Sequence, residues 1–149
     1  MDRCRARILP EKRLFGLNRL MIVQSPRILF CSLSAKLALY REVLRNARLF
    51  SRDATVIGCD SNANCASASE VDHFLEIPRL KDLSDGRLLE ICHANQITHI
   101  LPTRDAELSF WAKKKKWLLQ HKIRAWVSEE SYVHHCDDKL DFFTHWQGS

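Results

Sequence analysis

The feature that most constrains the fold is an alternation of short apolar runs with longer stretches of helical periodicity, which begins at Arg27. The short runs predict buried strands over residues 28–31, 55–58, 74–77, 98–101 and 123–127. The periodic stretches predict helices over 37–50, 86–95, 105–121, 129–134 and 139–146, with a loop or short helix over 61–70. Strands that alternate with helices form a mostly parallel sheet covered on both faces. The predicted fold class is therefore α/β, with an open, doubly wound sheet.

The size and composition of the chain fit one globular domain. It has 149 residues, of which 46% are apolar and 28% charged, and a chain of this size buries enough surface to fold without disulfides or a structural metal. Its longest apolar runs fall short of the roughly 18 residues that a membrane span requires. We expect no association with a membrane.

The net charge of +5 is confined to the N-terminal part of the sequence. Residues 1–27 hold seven basic and two acidic residues, and 7 − 2 gives +5. The remaining residues hold 16 of each sign and sum to zero. Because the predicted sheet and helices carry no excess of positive charge, we expect no nucleic-acid partner.

We interpret residues 1–26 as a basic extension that precedes the domain. A secretory signal would need a longer apolar stretch than Leu20–Val23, and a transit peptide would be richer in Ser and would lack Glu11. The simplest interpretation is a disordered tail or a miscalled start, with translation beginning at Met21.

The six cysteines are scattered, and none forms a C-x-x-C pair. That distribution indicates a reducing compartment, so we expect a cytoplasmic location. Cys31, Cys59 and Cys92 lie in apolar runs and are predicted to be buried.

The loops that follow the strands hold the candidate site residues, because ligands bind at the carboxyl ends of strands in open α/β sheets. These loops are residues 32–36, 60–64 and 102–107. Asp60 ends the second strand, whereas Thr103, Asp105 and Glu107 lie at a strand-to-helix junction. They have the chemistry to bind a polar small molecule. The alternative requires no ligand: Asp60 would be a solvated loop acid or a helix cap, Thr103 or Asp105 a helix cap, and Glu107 a partner of the helix dipole.

Several common sites are absent or weakly indicated in the sequence. The loop after the first strand contains no G-x-G-x-x-G pattern, so NAD binding is not favoured even though Asp60 stands where a ribose-binding acid would. The segment Lys113–Lys116 between two tryptophans is more typical of a solvated helix face than of a nucleic-acid surface. Adjacent side chains in the run 134–138 diverge, so we predict no metal site. We also find no catalytic constellation.

Six short segments, in this order, resemble the N-terminal domain of ATP-grasp ligases, with the closest likeness to carbamoyl-phosphate-synthase-like proteins. They are RILFCS at 27–32, VIGCD at 56–60, ASEVDHFLEIP at 68–78, ILPTRDAEL at 100–108, VS at 127–128 and CDDK at 136–139. The resemblance implies a Rossmann-like pre-ATP-grasp domain over residues 27–136, with 137–149 as the start of a truncated ATP-grasp domain.

ATP-grasp enzymes join a carboxylate to an amine or similar nucleophile through an acyl-phosphate. The resemblance implies ATP and Mg²⁺ as cofactors of a full-length enzyme and a small carboxylate as substrate. It places Asp60, Thr103, Asp105 and Glu107 on the substrate side, and Lys139 near the nucleotide phosphates, where a cation would offset developing negative charge.

The glycine-rich phosphate loop and the Mg²⁺-binding acids of these enzymes do not occur in the sequence. We therefore expect a truncated product or an excised N-terminal piece, inactive alone, whose missing lobes lie in cis or in a partner chain. The alternative is a freestanding module that binds a small metabolite or regulates a partner without catalysis. Either form is compatible with a homo-oligomer.

Overall fold

The computed structural model describes residues 25–137 and 142–144. Its strands are β1 (Arg27–Phe30), β2 (Thr55–Asp60), β3 (Phe74–Glu76), β4 (His99–Leu101) and β5 (Arg124–Ala125). Its longer helices are α1 (Leu37–Phe50), α2 (Asp85–Ala94), α3 (Asp105–Gln120) and α4 (Glu130–Asp137). Single turns of 3₁₀ helix occupy Leu33–Ala35, Ala66–Glu70 and Leu80–Asp82.

Within the described residues, the strands form one sheet in the order β3-β2-β1-β4-β5, and every neighbouring pair is parallel. The predicted open α/β sheet is confirmed, and it is wholly parallel in this part of the chain. The central strand β1 pairs with β2 on one side and with β4 on the other, Ile28 lying opposite both Val56 and His99.

Side chains of β1 alternate between two apolar clusters, one on each face of the sheet. On one face, Ile28 and Phe30 pack with Tyr40 of α1. On the other, Leu29 packs with Leu88 of α2 and Trp111 of α3. The alternation follows from the two-residue repeat of a strand, and a strand buried on both faces needs an unbroken apolar run such as RILF.

The ends of two helices differ in detail from the predictions. The helix predicted over 86–95 begins one residue earlier, at Asp85, and Ser84 is its N-cap, whose hydroxyl accepts a hydrogen bond from the backbone N–H of Arg87 at 3.3 Å. Arg104 occupies the N-cap position of α3 without a side-chain bond. The predicted capping of α3 by Thr103 or Asp105 is therefore wrong, because the Thr103 hydroxyl donates to the carbonyl of Cys31 instead.

The order in which the chain adds strands to the sheet reverses between β1 and β4, and this switch point is the chain reversal of the sheet. From β1 the chain proceeds through β2 to β3, then crosses back to β4 and continues to β5. The loops at the carboxyl ends of β1 and β4 therefore diverge to opposite faces and leave a crevice between them, which is where open α/β sheets bind ligands.

Some predictions fall on residues outside the described part of the chain. They are residues 1–24 of the basic extension predicted over 1–26, and residues 138–141 and 145–149 of the segment 137–149, which include Lys139. Within residues 25–137 and 142–144, no helix is both long and apolar enough to cross a membrane.

Candidate functional site

A cavity of about 660 Å³ opens at the carboxyl edge of the sheet. Its walls come from the ends of β1, β2 and β3 and from the first turn of α3. The polar and charged groups that line it are Ser32, Asp60, Ser61, Arg79, Lys81, Arg104 and Glu107. This position next to the chain reversal, together with that lining, makes the cavity the candidate functional site.

Glu107 is the buried charged residue of this cavity. Its side chain is 8% exposed, and its Oε1 accepts a hydrogen bond from the hydroxyl of Ser32. Its Oε2 is also buried but has no hydrogen-bond partner among the described residues. A buried carboxylate oxygen without a donor carries a substantial desolvation cost. Such an atom at the wall of a cavity is suited to receive a donor from a ligand.

Ser32 holds its position through an unusual backbone conformation. Its φ and ψ angles of 54° and 57° lie in the left-handed region, which non-glycine residues rarely occupy. The following residue, Leu33, is fully buried, and it packs over Gly58 in β2. The turn thus anchors one side chain in the core while its neighbour, Ser32, faces Glu107.

Asp60 organises the loops rather than offering free oxygens. Its Oδ2 accepts hydrogen bonds from the backbone N–H of Ser34, at 3.1 Å, and from the hydroxyl of the same residue. Its Oδ1 accepts from the N–H of Asn62 at 3.1 Å. Partial burial raises the pKa of Asp60, but these hydrogen bonds outweigh burial and hold it below its ordinary value. Asp60 is therefore ionised and joins the loop after β1 to the end of β2.

Thr103 and Lys36 join the loop after β4 to the loop after β1, across the chain reversal. The Thr103 hydroxyl donates to the carbonyl of Cys31 at 2.6 Å, and the Lys36 ammonium donates to the carbonyl of Thr103. The loops after β1 and β4 are thereby fixed to each other. Asp105 is exposed in the first turn of α3 and is not among the residues that line the cavity.

The structure brings Asp60 and Glu107 to the cavity, while Thr103 supports its wall from behind. Sequence reasoning missed Arg79 and Lys81. Arg79 and Lys81 follow β3, whose loop was not among those considered, and the signal that points to it is Pro78 directly after the strand. Arg104 lies in the predicted loop 102–107, beside Thr103 and Asp105, and the structure adds it to the lining of the cavity.

The described residues do not fit the ATP and Mg²⁺ that the resemblance implies. Across residues 25–137 and 142–144, no group of three or more His, Cys, Asp or Glu side chains is arranged to hold a metal ion. The loop after β1 has Ser32, Leu33 and Ser34 where a phosphate-cradling loop has glycines.

Comparison with known protein families gives a match to a domain family. The model of the family described as "PylC-like, N-terminal domain" matches residues 28–125, which is more than half of the chain. The chain belongs to this family. The match begins in β1 and ends in β5, so the PylC-like domain includes the whole sheet except Arg27, and every polar residue that lines the cavity.

A solved structure shares the fold of this PylC-like domain. It is described as the biotin carboxylase domain of a single-chain bacterial carboxylase, with 16% sequence identity and a TM-score of 0.59. The alignment covers 82% of this chain and 28% of that chain, so the PylC-like domain spans just over a quarter of its structural relative. A search of curated proteins gives no match. The family match identifies the chain as the N-terminal domain of an ATP-grasp enzyme, and the solved structure shows that the fold is shared.

Proposed function

We propose that this domain forms the substrate side of an ATP-grasp ligase that joins a small carboxylate to an amine or similar nucleophile through an acyl-phosphate. The observation that carries the proposal is Glu107, a buried carboxylate with one unpartnered oxygen at the wall of a 660 Å³ cavity. The proposal assigns ATP and Mg²⁺ to lobes beyond the described residues, with Lys139 contacting the phosphates. By itself this chain does not turn over ATP.

The charges around the cavity support a ligand that carries a carboxylate. Arg79, Lys81 and Arg104 bring three cations to its lining, against the two carboxylates of Asp60 and Glu107. Asp60 is already engaged by Ser34 and Asn62, and its charge is therefore partly offset. Arginine is well suited to bind a carboxylate because its guanidinium donates two parallel hydrogen bonds.

The first turn of α3 adds to this preference for an anion. The backbone N–H groups of a helix N-terminus are unpaired within the helix and carry partial positive charge. Arg104 and Ala106 of this turn line the cavity. A ligand carboxylate near Arg104 would therefore meet both a guanidinium and a helix N-terminus, while Glu107 accepts a donor from another part of the ligand.

The experiment is a thermal-shift screen of small carboxylates on the full chain, repeated on Glu107→Gln. We expect a carboxylate that also carries an N–H or O–H donor to raise the melting temperature of the wild type and to lose that effect in E107Q. Trp111→Phe is the matched control. It removes the indole N–H of Trp111, the other buried atom without a partner among the described residues, from the next turn of the same helix. W111F should keep the ligand-induced shift.

Two results separate the ligase from the alternative module. In a longer protein that contains the lobes, ATP with Mg²⁺ should raise the melting temperature, and Lys139→Ala should reduce that shift. A ligand that stabilises the chain in an E107Q-sensitive manner, without any nucleotide effect in the longer protein, would instead support a freestanding metabolite-binding module. Equal ligand shifts in the wild type and E107Q would contradict the cavity assignment in both cases.

A further inference from the structure

Three cations that line the cavity at the carboxyl edge have no partner in the described part of the chain. Arg79, Lys81 and Arg104 all line it, and their side chains make no hydrogen bond or ion pair with any other residue of 25–137 and 142–144. By contrast, every arginine of α1 and α2 is in an ion pair with a carboxylate. The cavity therefore gathers positive charge that this part of the chain leaves unpaired.

The two carboxylates of the same cavity do not neutralise these cations. Asp60 accepts hydrogen bonds from Ser34 and Asn62, and Glu107 accepts one from Ser32. Within the described ranges, neither carboxylate forms an ion pair with a cation of the lining. Opposite charges that line one cavity without pairing are available to a ligand, which can place anionic groups at the cations and a donor at the buried, unpartnered oxygen of Glu107.

The cations come from two separate parts of the sheet edge. Arg104 is at the N-cap of α3, which follows β4, whereas Arg79 and Lys81 follow β3. In the order β3-β2-β1-β4, three strand spacings separate these two strands, a distance of about 14 Å. A single carboxylate spans only a small part of that distance, so one bound near Arg104 leaves the cations after β3 without an anion.

The size and the apolar lining of the cavity fit an elongated ligand. Its volume of about 660 Å³ lies within the range of pockets that enclose small organic ligands. Ile77, Pro78 and Leu80 line the cavity on the β3 side. These apolar groups suit a carbon chain that leads from one charged group to the other.

We propose that Arg79 and Lys81 form a second anion subsite, so that the ligand of this cavity carries a second anionic group, a carboxylate or a phosphate, at the end remote from Arg104. The proposal rests on the proposed function, which assigns the first carboxylate to Arg104 and a ligand donor to Glu107. Guanidinium and ammonium groups both form charge-assisted hydrogen bonds with either anion. The substrate class is therefore an elongated carboxylate with an anionic group at each end.

The test is isothermal titration calorimetry of the full chain with two pairs of ligands, at fixed pH and ionic strength. One pair is 2-hydroxyglutarate and 2-hydroxypentanoate, and the other is 3-phosphoglycerate and glycerate. Within each pair only the terminal anionic group differs, and every ligand carries a carboxylate and a hydroxyl donor. In at least one pair, the ligand with two anionic groups should bind about tenfold or more tightly than its partner. The pair that shows the gain identifies the second group as a carboxylate or a phosphate.

Variants locate the gain at the subsite. Arg79→Gln combined with Lys81→Gln should reduce the affinity for the ligand with two anionic groups to near that of its partner ligand. The matched control, Arg52→Gln with Lys113→Gln, removes the same two charges from exposed positions that do not line the cavity and should keep the gain. Circular dichroism verifies that each variant is folded. If the first double variant does not fold, Lys81→Gln replaces it, with a smaller loss expected on the same readout.

The outcomes separate this proposal from the proposed function. Absence of a gain in both pairs would overturn the second subsite, and so would a gain that persists in the Arg79, Lys81 double variant. If E107Q nevertheless weakens the binding of the carboxylates, the proposed function stands without the subsite. A gain that is lost in the double variant, while E107Q binds every ligand as the wild type does, would support the subsite and contradict the assignment of Glu107.

Discussion

The hydroxyl of Ser32 donates a hydrogen bond to Glu107, although 75 positions separate the two residues in the sequence. Ser32 reaches this position from a left-handed turn after β1, and Glu107 from the first turn of α3. The pair therefore joins the loops on both sides of the chain reversal and satisfies one of the two carboxylate oxygens. The other oxygen, Oε2, is buried and has no hydrogen-bond partner among the described residues.

Substitutions at this pair should separate stability from ligand binding. Glu107→Gln keeps an acceptor for Ser32 and removes a buried charge, so the free energy of unfolding should fall by less than about 1 kcal/mol or rise. Ser32→Ala leaves both carboxylate oxygens without a donor and should cost about 1–3 kcal/mol. Urea denaturation measures both values, and Ser61→Ala at the same cavity is the control. Equal losses in E107Q and S32A would contradict this account.

Two glycines should respond to alanine with opposite signs. A Cβ on Gly58 would lie 2.8 Å from Cδ2 of Leu33, so Gly58→Ala should lower the free energy of unfolding by about 1–3 kcal/mol. Gly86, in the first turn of α2, has no atom within 4 Å of its Cβ position, and Gly86→Ala should raise stability by about 0.5–1 kcal/mol. Thermal and urea unfolding of the two variants provide the measurement. In G58A, Leu33→Val should recover part of the loss.

A pH dependence of stability should originate at His99. Its burial, reinforced by the charge of Arg124, lowers the pKa of His99 below the ordinary 6.5. Since the unfolded chain then binds the proton more readily, the stabilisation is complete above about pH 6.5 and is lost as the pH falls through the folded-state pKa. His99→Gln should flatten the stability curve below pH 6.5, whereas His73→Gln, at an exposed position, should not. Curves of the wild type and H99Q that remain parallel would contradict the assignment.

The cysteines of the native chain should differ sharply in reactivity. Burial, together with Cys59, raises the pKa of Cys92 to about 12, and a hydrogen bond with Cys59, followed by burial, raises the pKa of Cys31. At pH 8 the thiolate of Cys92 is about a thousandfold rarer than that of an ordinary thiol. Iodoacetamide labelling followed by mass spectrometry should therefore modify the exposed Cys136 long before Cys31 or Cys92.

Labelling in urea provides the control for this prediction, because unfolding exposes every thiol. The rates of Cys31, Cys92 and Cys136 should then converge. A native chain in which Cys92 reacts as fast as Cys136 would contradict the prediction, because it would show that the buried surroundings of Cys92 open readily to solvent.

The sequence predicted the sheet better than the cavity, for a physical reason. The predicted strand 28–31 is displaced by one residue from β1, and the predicted strand 98–101 is one residue longer than β4, because burial on both faces demands a continuous apolar run. The last strand was predicted over 123–127 but pairs only at Arg124 and Ala125, since an edge strand is defined by its neighbour rather than by its own pattern. The burial of Cys31, Cys59 and Cys92 is confirmed.

The cavity depends on loops that have no periodic pattern. Asp60 and Glu107 were found because they end a strand and begin a helix, and these positions can be read from the sequence. The left-handed turn at Ser32 could not be predicted, because glycine is the residue expected there. Whether Asp60, Thr103, Asp105 and Glu107 face a substrate remains a prediction for the binding experiments described above.

The position of β1 in the middle of the sheet also affects how the chain is synthesised. The backbone N–H of Arg27 bonds to Thr98, 71 residues further along the chain. A ribosome that adds roughly 5–20 residues per second needs about 4–14 s to supply that partner. Throughout this interval β1 can pair with β2 through the local α1 connection, but its other edge is open to any extended chain nearby. The yield of folded protein is therefore decided partly during translation, by how well the nascent β1–α1–β2 unit is shielded until β4 emerges.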